Sequence, residues 1–302
     1  MNKNLLPMFA GPSALSRRRF LAFSGATLGM AIAGCSKSGD APVAESAPVA
    51  PAVPSRKLEK IGIELYTVRK QMEQSVQQTL ERIAQIGYDE VEFAGYFKSK
   101  PSEVKKYLAD TGLKSYSAHV FLEALRDKTS QTLDEVAEVG HQYVVLGYGV
   151  DNLKTQDECH RHIEWLRQMG EAAKQRGLQF GYHNHAFEFK SVDGIVPYDL
   201  MLADVDSDLM KMTMDFFWIH YAGVDPYPYF DKYPGRFKQC HVKDMTADRK
   251  MADAGAGTLD FAKLFAQRDQ AGLEHFYVER DDAPEPYETA AASLAYLRAL
   301  RF

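Results

Sequence analysis

The sequence predicts an α/β protein built as a single (β/α)8 barrel. From Lys57 onward, eight short apolar runs alternate with segments of helical period, at roughly 31 residues per unit. Several predicted helices end in a glycine directly before the next strand, which is a favoured position for a helix C-cap. These glycines are Gly87, Gly112, Gly177 and Gly272. An open doubly wound sheet is the alternative, but no GxGxxG motif follows the first predicted strand, which favours one barrel domain over residues 57–302.

The eight predicted strands place their carboxyl ends at one rim of the barrel, where the chemistry of such folds lies. The predicted strands are Ile61–Val68, Glu90–Gly95, Lys114–Val120, Tyr143–Gly149, Gln179–His185, Lys211–Trp218, Phe237–Val242 and His275–Arg280. The clearest predicted helices are Ser75–Ile86, Pro101–Thr111, Gln156–Arg176, Asp260–Ala271 and Tyr287–Leu300. Polar residues that end these strands are therefore the first candidates for function.

Residues 1–34 are predicted to be an export signal outside the fold. They carry four basic residues and no acidic residue, and the apolar stretch that follows is too short to span a bilayer. Ser16–Leu21 (SRRRFL) looks like a twin-arginine signal, and Ile32–Cys35 (IAGC) resembles a bacterial lipobox, in which Cys35 would be lipidated. The alternative is a basic, poorly ordered terminus before an ordinary helix.

Residues 35–56 are rich in Pro, Ala and Ser and predict a semi-extended tether. With the leader removed, the net charge changes from −5 to −9. A lipidated Cys35 would hold the domain on a membrane surface, on the periplasmic side, without a spanning helix.

The composition excludes several classes of protein. Hydrophobic residues make up 45% and charged residues 25% of the 302, enough for a globular core. Three cysteines without a CxxC pair cannot form a disulfide framework, and Cys159 and Cys240 are predicted to be buried. No basic run interleaved with aromatic residues occurs in the body, so a nucleic-acid partner is not expected.

Four strand ends together predict a metal site. His183, Asp215, His241 and Glu279 come from four consecutive predicted strands, at spacings of 32, 26 and 38 residues. Each spacing holds one helix and two loops, so the four side chains can converge. Two imidazoles with two carboxylates suit a divalent ion such as Mn²⁺, Co²⁺, Zn²⁺ or Fe²⁺, with positions left for substrate oxygens.

Further residues at the same rim are candidates for binding and catalysis. Because side chains alternate along a strand, His185 shares an inward face with His183, and Glu188 follows shortly after. Lys243 follows His241, while His119 and Glu64 belong to the third and first strands. Trp218, with other aromatic residues, is a candidate wall against a sugar ring, whereas Phe216 and Phe217 are expected in the core. Four other histidines, His141, His160, His162 and His275, are expected at the surface.

Six motifs, IGIELYTVR, YDEVEFAG, YHNHAFEF, MDFFW, CHVKD and YVERD, occur in this order between Lys57 and Phe302. They resemble the xylose-isomerase-like barrel superfamily, which includes sugar phosphate isomerases and epimerases, inosose dehydratases and endonuclease IV repair enzymes. The order is specific to the superfamily but not to one reaction. The acidic chain fits the DNA-repair branch poorly.

The resemblance also implies roles for particular residues. In the epimerases of this group, Glu, Asp, His and Glu from the last four strands bind the metal, and the two Glu form an acid/base pair. Asp215, His241 and Glu279 match the last three, but His183 stands where an epimerase has Glu. This departure resembles the dehydratase-like branch and argues against a two-glutamate mechanism. Glu188 lies near the family's substrate-contacting glutamate.

The function predicted from these features is that of a metal-dependent sugar isomerase or epimerase. A metal on a carbonyl and an adjacent hydroxyl oxygen makes the neighbouring C–H more acidic by stabilising an enediolate, and a carboxylate removes the proton. Glu279 is the expected base, His185 or Glu188 the acid, and Lys243 a ligand for substrate oxygens. The alternatives are a dehydratase or lyase acting on inosose-like or 3-keto-glycoside substrates, metal-assisted hydrolysis, and a non-catalytic sugar-binding lipoprotein.

Overall fold

The computed structural model describes residues 55–148 and 153–302 of the chain. The predicted signal peptide, Cys35 and almost all of the predicted tether lie outside the described residues. Gly149, the last residue of the fourth predicted strand, also lies outside them. The described domain begins at Ser55.

Eight parallel strands close into one barrel, which confirms the predicted (β/α)8 fold. The barrel strands are β1 (Gly62–Glu64), β2 (Glu90–Ala94), β3 (Lys114–Phe121), β4 (Tyr143–Tyr148), β5 (Gln179–His183), β6 (Met210–Asp215), β7 (Phe237–Val242) and β10 (His275–Val278). A short antiparallel hairpin of β8 (Asp244–Met245) and β9 (Met251–Ala252) follows β7. The barrel closes where β1 pairs with both β2 and β10.

Helices surround the barrel and bury their apolar faces against it. They are α1 (Arg69–Gln74), α2 (Val76–Ile86), α3 (Pro101–Thr111), α4 (Leu122–Asp127), α5 (Thr129–Val139), α6 (Gln156–Lys174), α7 (Pro197–Asp204), α8 (Phe216–Tyr221), α9 (Tyr227–Lys232), α10 (Phe261–Ala266), α11 (Arg268–Ala271) and α12 (Pro286–Ala299). On α2, Val76, Leu80 and Ile83 are buried at helical spacing. Gly87 ends α2 in the left-handed conformation, at φ 108°, which glycine adopts without steric cost.

Two predicted strands extend three or four residues too far at their carboxyl ends, and the same cause explains both. Three others, the second, fifth and eighth, extend one or two residues too far. The first ends at Glu64 because the Glu64 carboxylate accepts the backbone N–H of Tyr66 at 2.6 Å and starts a 3-10 turn, Leu65–Val68. The sixth ends at Asp215, whose carboxylate accepts the N–H of Trp218 at 2.8 Å and caps α8. Both runs continue with apolar residues, so hydrophobicity alone does not show where the strand ends.

Four histidines are expected at the surface, and this prediction is wrong for three of them. His141 and His162 are buried, and His275 lies half-buried in β10 with its Nδ1 2.8 Å from Glu90 Oε2. His141 and His162 stack against aromatic rings, which compensates for burying an imidazole. His160 is exposed as predicted. Cys159 and Cys240 are both buried thiols, as predicted.

The two ends of the described domain meet. The backbone N–H of Arg56 donates to the carbonyl of Phe302 at 3.1 Å, and the N–H of Phe302 donates back at 3.0 Å. Arg56, the last residue of the predicted tether, thus pairs with the end of the domain. Within residues 55–148 and 153–302, no helix combines the length and the apolar character needed to cross a bilayer.

Candidate metal and active site

A cavity of about 610 Å³ opens at the carboxyl ends of the barrel strands. Its volume lies in the range of small-molecule sites, which is roughly 300–1,000 Å³. Among the predicted site residues, His119, Glu64, His183, His185, Trp218, Lys243 and Glu279 line it. The strand ends therefore bring the predicted residues to one place.

The four predicted metal ligands converge at the floor of this cavity. One ligand atom from each of His183, Asp215, His241 and Glu279 lies within 4.8 Å of the others, and all four side chains are buried. His183 Nε2 is 3.3 Å from Asp215 Oδ2, and His241 Nδ1 is 2.6 Å from Glu279 Oε2. Since β5, β6, β7 and β10 are neighbours in the barrel, side chains at or next to their carboxyl ends can face a common point.

Local hydrogen bonds orient these ligands before any cation is bound. His183 Nδ1 donates to the carbonyl of Gly147 at 3.0 Å, which leaves Nε2 turned towards Asp215. Asp215 uses Oδ1 to cap α8 and keeps Oδ2 at the site. Its backbone N–H donates to Asn184 Oδ1 at 3.0 Å. The site is thus held by groups whose other atoms are already engaged.

Lys243 lies inside the same cluster. Its Nζ is 3.1 Å from Asp215 Oδ2, 2.8 Å from Glu279 Oε2 and 2.8 Å from Asp281 Oδ1, and the side chain is almost fully buried. Burial lowers the pKa of a lysine, but the three carboxylates outweigh burial and raise it well above its usual value. Lys243 therefore stays cationic beside two of the predicted metal ligands.

The carboxylates of the floor differ in protonation. Burial would raise the pKa of Glu279, yet Lys243 and His241 hold it well below the usual value, so this carboxylate is ionised. The pKa of Asp215 is also lowered, by Lys243 and His183 against burial. For Glu64, burial and the charge of Glu279 raise the pKa well above the usual value, so this carboxyl holds its proton. The floor thus combines carboxylates whose pKa is lowered with one whose pKa is raised.

His185 and Glu188, both predicted as acids, lie in different environments. His185 lines the cavity, between the rings of Tyr148, Phe187 and Trp218, and burial lowers its pKa to about 2. Glu188 is buried behind it. Its carboxylate accepts the backbone N–H of His185 at 2.9 Å and the hydroxyl of Tyr182 at 3.1 Å. Burial raises the pKa of Glu188 to about 7. Glu188 therefore contacts the turn that carries His185.

Aromatic side chains form the mouth of the cavity. Tyr66, Phe121 and Tyr148 are 37%, 54% and 48% exposed, and all three line it together with Phe187 and Trp218. Phe216 and Phe217 are buried, as expected from the sequence. A charged floor below an aromatic mouth suits a ligand with many hydroxyl groups and an apolar face, such as a sugar ring.

Glu92 belongs to the site but received no role from the sequence. It is fully buried on β2, and its Oε2 lies 2.7 Å from His241 Nε2. Burial would raise its pKa, but His119 and His241 hold the pKa at about 2. The signal that could have identified it is a Glu flanked by apolar residues in a strand, because such a buried carboxylate needs a partner.

The residues of the floor fit a divalent cation. Two imidazole nitrogens and two carboxylate oxygens from four separate strands are the donors that Mn²⁺, Co²⁺, Zn²⁺ and Fe²⁺ accept. Their ligand atoms are buried and close together, and Asp215 Oδ2 and Glu279 Oε2 carry negative charge there. The ammonium of Lys243 offsets only part of this charge.

The described residues form a parallel (β/α)8 barrel with a buried cluster of His and carboxylate side chains at the carboxyl ends of its strands. Residues 80–300 match the family described as the xylose isomerase-like TIM barrel. The chain belongs to this family, which confirms the predicted family and fold.

Several similar proteins carry the names of enzymes. An inosose dehydratase from Lacticaseibacillus casei is 24% identical over 270 residues, covering 75% of this chain and 90% of that protein. A crystal structure of a sugar phosphate isomerase/epimerase from Parabacteroides distasonis is 26% identical, with a TM-score of 0.70 over 84% of this chain and 98% of that chain. The IolI protein, solved with a bound zinc atom, shares the fold at 14% identity, with a TM-score of 0.63 over 80% of this chain and 99% of that chain.

Proposed function

We propose that this protein is a divalent-metal-dependent enzyme that removes the proton next to the carbonyl of a keto sugar or related polyol, as an isomerase or epimerase. The observation that carries the proposal is the position of the Glu279 carboxylate, which lines the cavity 2.6 Å from His241 Nδ1 and 2.8 Å from Lys243 Nζ. Lys243 and His241 also hold its pKa well below the usual value. A base must be both ionised and in contact with the substrate cavity. Glu279 meets both conditions.

A bound divalent ion would polarise the carbonyl and stabilise the negative charge of an enediolate. His183, Asp215, His241 and Glu279 would hold it. Glu279 accepts the proton from carbon through a carboxylate oxygen. Lys243 donates hydrogen bonds to substrate oxygens from the same floor. The carboxyl of Glu64, whose pKa is raised well above its usual value, lies on the cavity wall to return a proton. His185, with a pKa of about 2, also lines the cavity as a neutral hydrogen-bonding group.

Elimination by a dehydratase or lyase is the second candidate, on inosose-like or 3-keto-glycoside substrates. His183 supports it, because a histidine stands at the position of the first of the two glutamates that epimerases use. The inosose dehydratase relatives support it too. Both reactions share removal of the proton beside the carbonyl and differ only in what the enediolate does next.

Solvent deuterium incorporation tests the shared step. The protein is incubated in D₂O with Mn²⁺ and a panel of keto sugars, inososes and 3-keto-glycosides, and the C–H beside each carbonyl is followed by NMR. We expect metal-dependent exchange at one carbon, lost in Glu279→Gln by a factor of about 100 or more. Glu274→Gln, an exposed residue directly before the start of the same strand, is the matched control and should exchange normally.

The identity of the products distinguishes an isomerase or epimerase from a dehydratase or lyase. An epimer or isomer supports the first candidate, and loss of water or of an alcohol supports the second. Metal binding without exchange across the panel would contradict both, and so would full turnover by Glu279→Gln.

We also propose that the protein is exported and anchored by a lipid at Cys35, on the periplasmic side. The SRRRFL and IAGC motifs at compatible spacing support this. Labelled palmitate should enter the wild-type chain but not Cys35→Ser, and Arg17→Lys with Arg18→Lys should leave the protein unexported. Labelling of the serine variant would contradict the anchor.

A further inference from the structure

Glu92 reaches across the barrel interior from β2 to β7, below the four predicted ligands. Its Oε2 lies 2.7 Å from His241 Nε2, and its Oε1 accepts the hydroxyl of Ser117 at 2.5 Å. His119 Nε2 lies 3.4 Å from the same Oε2. Both oxygens of Glu92 are thus engaged by side chains, and it does not line the cavity.

These contacts decide which nitrogen of His241 is available to a cation. The 2.7 Å contact is a hydrogen bond, and a carboxylate oxygen accepts the hydrogen that an imidazole nitrogen donates, so the hydrogen belongs to His241 Nε2. The other nitrogen, Nδ1, lies 2.6 Å from Glu279 Oε2 and 3.8 Å from Asp215 Oδ2, but neither it nor Glu279 Oε2 makes a hydrogen bond among the described residues. A histidine ligates a metal through a nitrogen without hydrogen, and the hydrogen bond of its other nitrogen sets both tautomer and orientation.

We propose that Glu92 is a positioning residue for the metal site: it holds His241 as the Nε2–H tautomer and so presents Nδ1 to a divalent cation. The inference rests on the proposed function only in requiring that a cation binds. It concerns no step of the reaction, because Glu92 does not touch the cavity.

A second cation held by Glu92, His119 and His241 is the rival explanation, since their ligand atoms are also within 4.8 Å of one another. The 2.7 Å separation of Glu92 Oε2 and His241 Nε2 is the length of a charge-assisted hydrogen bond, which favours a proton between them. The two explanations predict different stoichiometries.

The test is calorimetric titration of the metal-free full chain with Mn²⁺ and separately with Zn²⁺. We expect one ion per wild-type chain, and an affinity about 10- to 100-fold weaker in Glu92→Ala. Glu92→Gln preserves the volume and serves if the alanine variant does not fold; we expect it to weaken binding too, because its amide group can donate to Nε2 and favour the wrong tautomer.

Glu90→Ala is the matched control. Glu90 lies two residues away on the same strand and forms its own carboxylate–histidine pair with His275, away from the four ligands. It should leave cation affinity unchanged. As a second readout, two-bond ¹H–¹⁵N spectra of the zinc-loaded protein should show a histidine with hydrogen on Nε2 and metal on Nδ1, and this signature should be lost in the Glu92 variants.

Each other outcome overturns the proposal in a distinct way. If the wild type binds one ion and both Glu92 variants bind it equally well, the positioning role is wrong and the proposed function stands. Two ions in the wild type and one in the variants would assign Glu92 to a second metal site. If the wild type binds no divalent cation, both the positioning role and the proposed metal-dependent function fail.

Discussion

Lys243 and a divalent cation draw on the same oxygens. Lys243 Nζ lies at hydrogen-bond distance from Asp215 Oδ2, at 3.1 Å, and from Glu279 Oε2, at 2.8 Å. The ammonium stabilises the two buried carboxylates in the absence of a metal, and repels a cation bound to them. Two unit charges about 4 Å apart interact by about 4 kcal/mol at an effective dielectric of about 20.

Lys243→Met should therefore bind Mn²⁺ more tightly, by about 10-fold or more, because this repulsion is removed. The same variant should be less stable and should turn substrate over more slowly, since three carboxylates lose a buried partner and substrate oxygens lose a donor. Calorimetric titration and thermal denaturation measure the two effects. Lys238→Met is the control, because this half-buried lysine of β7 pairs with Glu274 instead. Unchanged affinity in Lys243→Met would refute the competition.

At the scale of elements, two carboxylates of the site also cap the helical turn that directly follows their own strand. Glu64 and Asp215 each end a strand, cap the turn that follows and keep a second oxygen that is not used in the cap. For Glu64, that oxygen has no hydrogen-bond partner among residues 55–148 and 153–302. A short helix or turn after the strand thus fixes the carboxylate more firmly than a long loop would.

Helix α6 carries a buried histidine that makes stability depend on pH. His162 stacks on Trp165 with ring centroids 5.6 Å apart, and burial lowers its pKa to about 4. In the unfolded chain the pKa of a histidine is about 6.5. Between these two pKa values His162 binds a proton in the unfolded chain but not in the folded one. The free energy of unfolding therefore falls as the pH drops from about 7 towards 4.

We expect His162→Phe to lose less stability than the wild type between pH 7.5 and pH 5, by about 2 kcal/mol. Urea denaturation at the two pH values measures the difference. His160→Gln removes an exposed histidine of the same helix and should behave as the wild type. Identical losses in the wild type and His162→Phe would show that His162 titrates normally in the folded protein.

At the scale of the whole domain, the two ends of the described chain are bonded to each other. Arg56 and Phe302 exchange two backbone hydrogen bonds, and the Arg56 guanidinium lies 5.6 Å from the centroid of the Phe302 ring. The salt bridge of Arg56 with Asp269 is largely exposed and adds little. The pair fastens the segment before β1 to the segment after α12.

A chain that begins at Leu58 should consequently melt about 3–6 °C below one that begins at Ser55, because it lacks both backbone bonds. A chain that begins at Glu45 is the control and should melt with the one that begins at Ser55. Differential scanning calorimetry measures all three. Equal melting temperatures for the Leu58 and Ser55 chains would mean that the terminal pair contributes nothing to stability.

The barrel and the four-residue floor of the site follow from the order of residues alone. The hydrophobic residues repeat with different periods in strands and in helices, so the two kinds of segment can be told apart. Few folds bury the apolar faces of eight strands and of the helices between them. Since parallel strands all end at one rim, His183, Asp215, His241 and Glu279 could be assigned together from their positions at strand ends. These inferences needed only periodicity and the direction of the chain.

The partners of those residues, by contrast, depend on the folded barrel. Glu92 and His241 are 149 residues apart and meet because the barrel closes, and nothing local in the sequence signals a contact at that separation. The same holds for Lys243 against Asp281, and for the contact between the ring of His162 on α6 and the ring of Tyr182 on β5. Protonation follows burial and neighbouring charges, which exist only once distant strands are side by side.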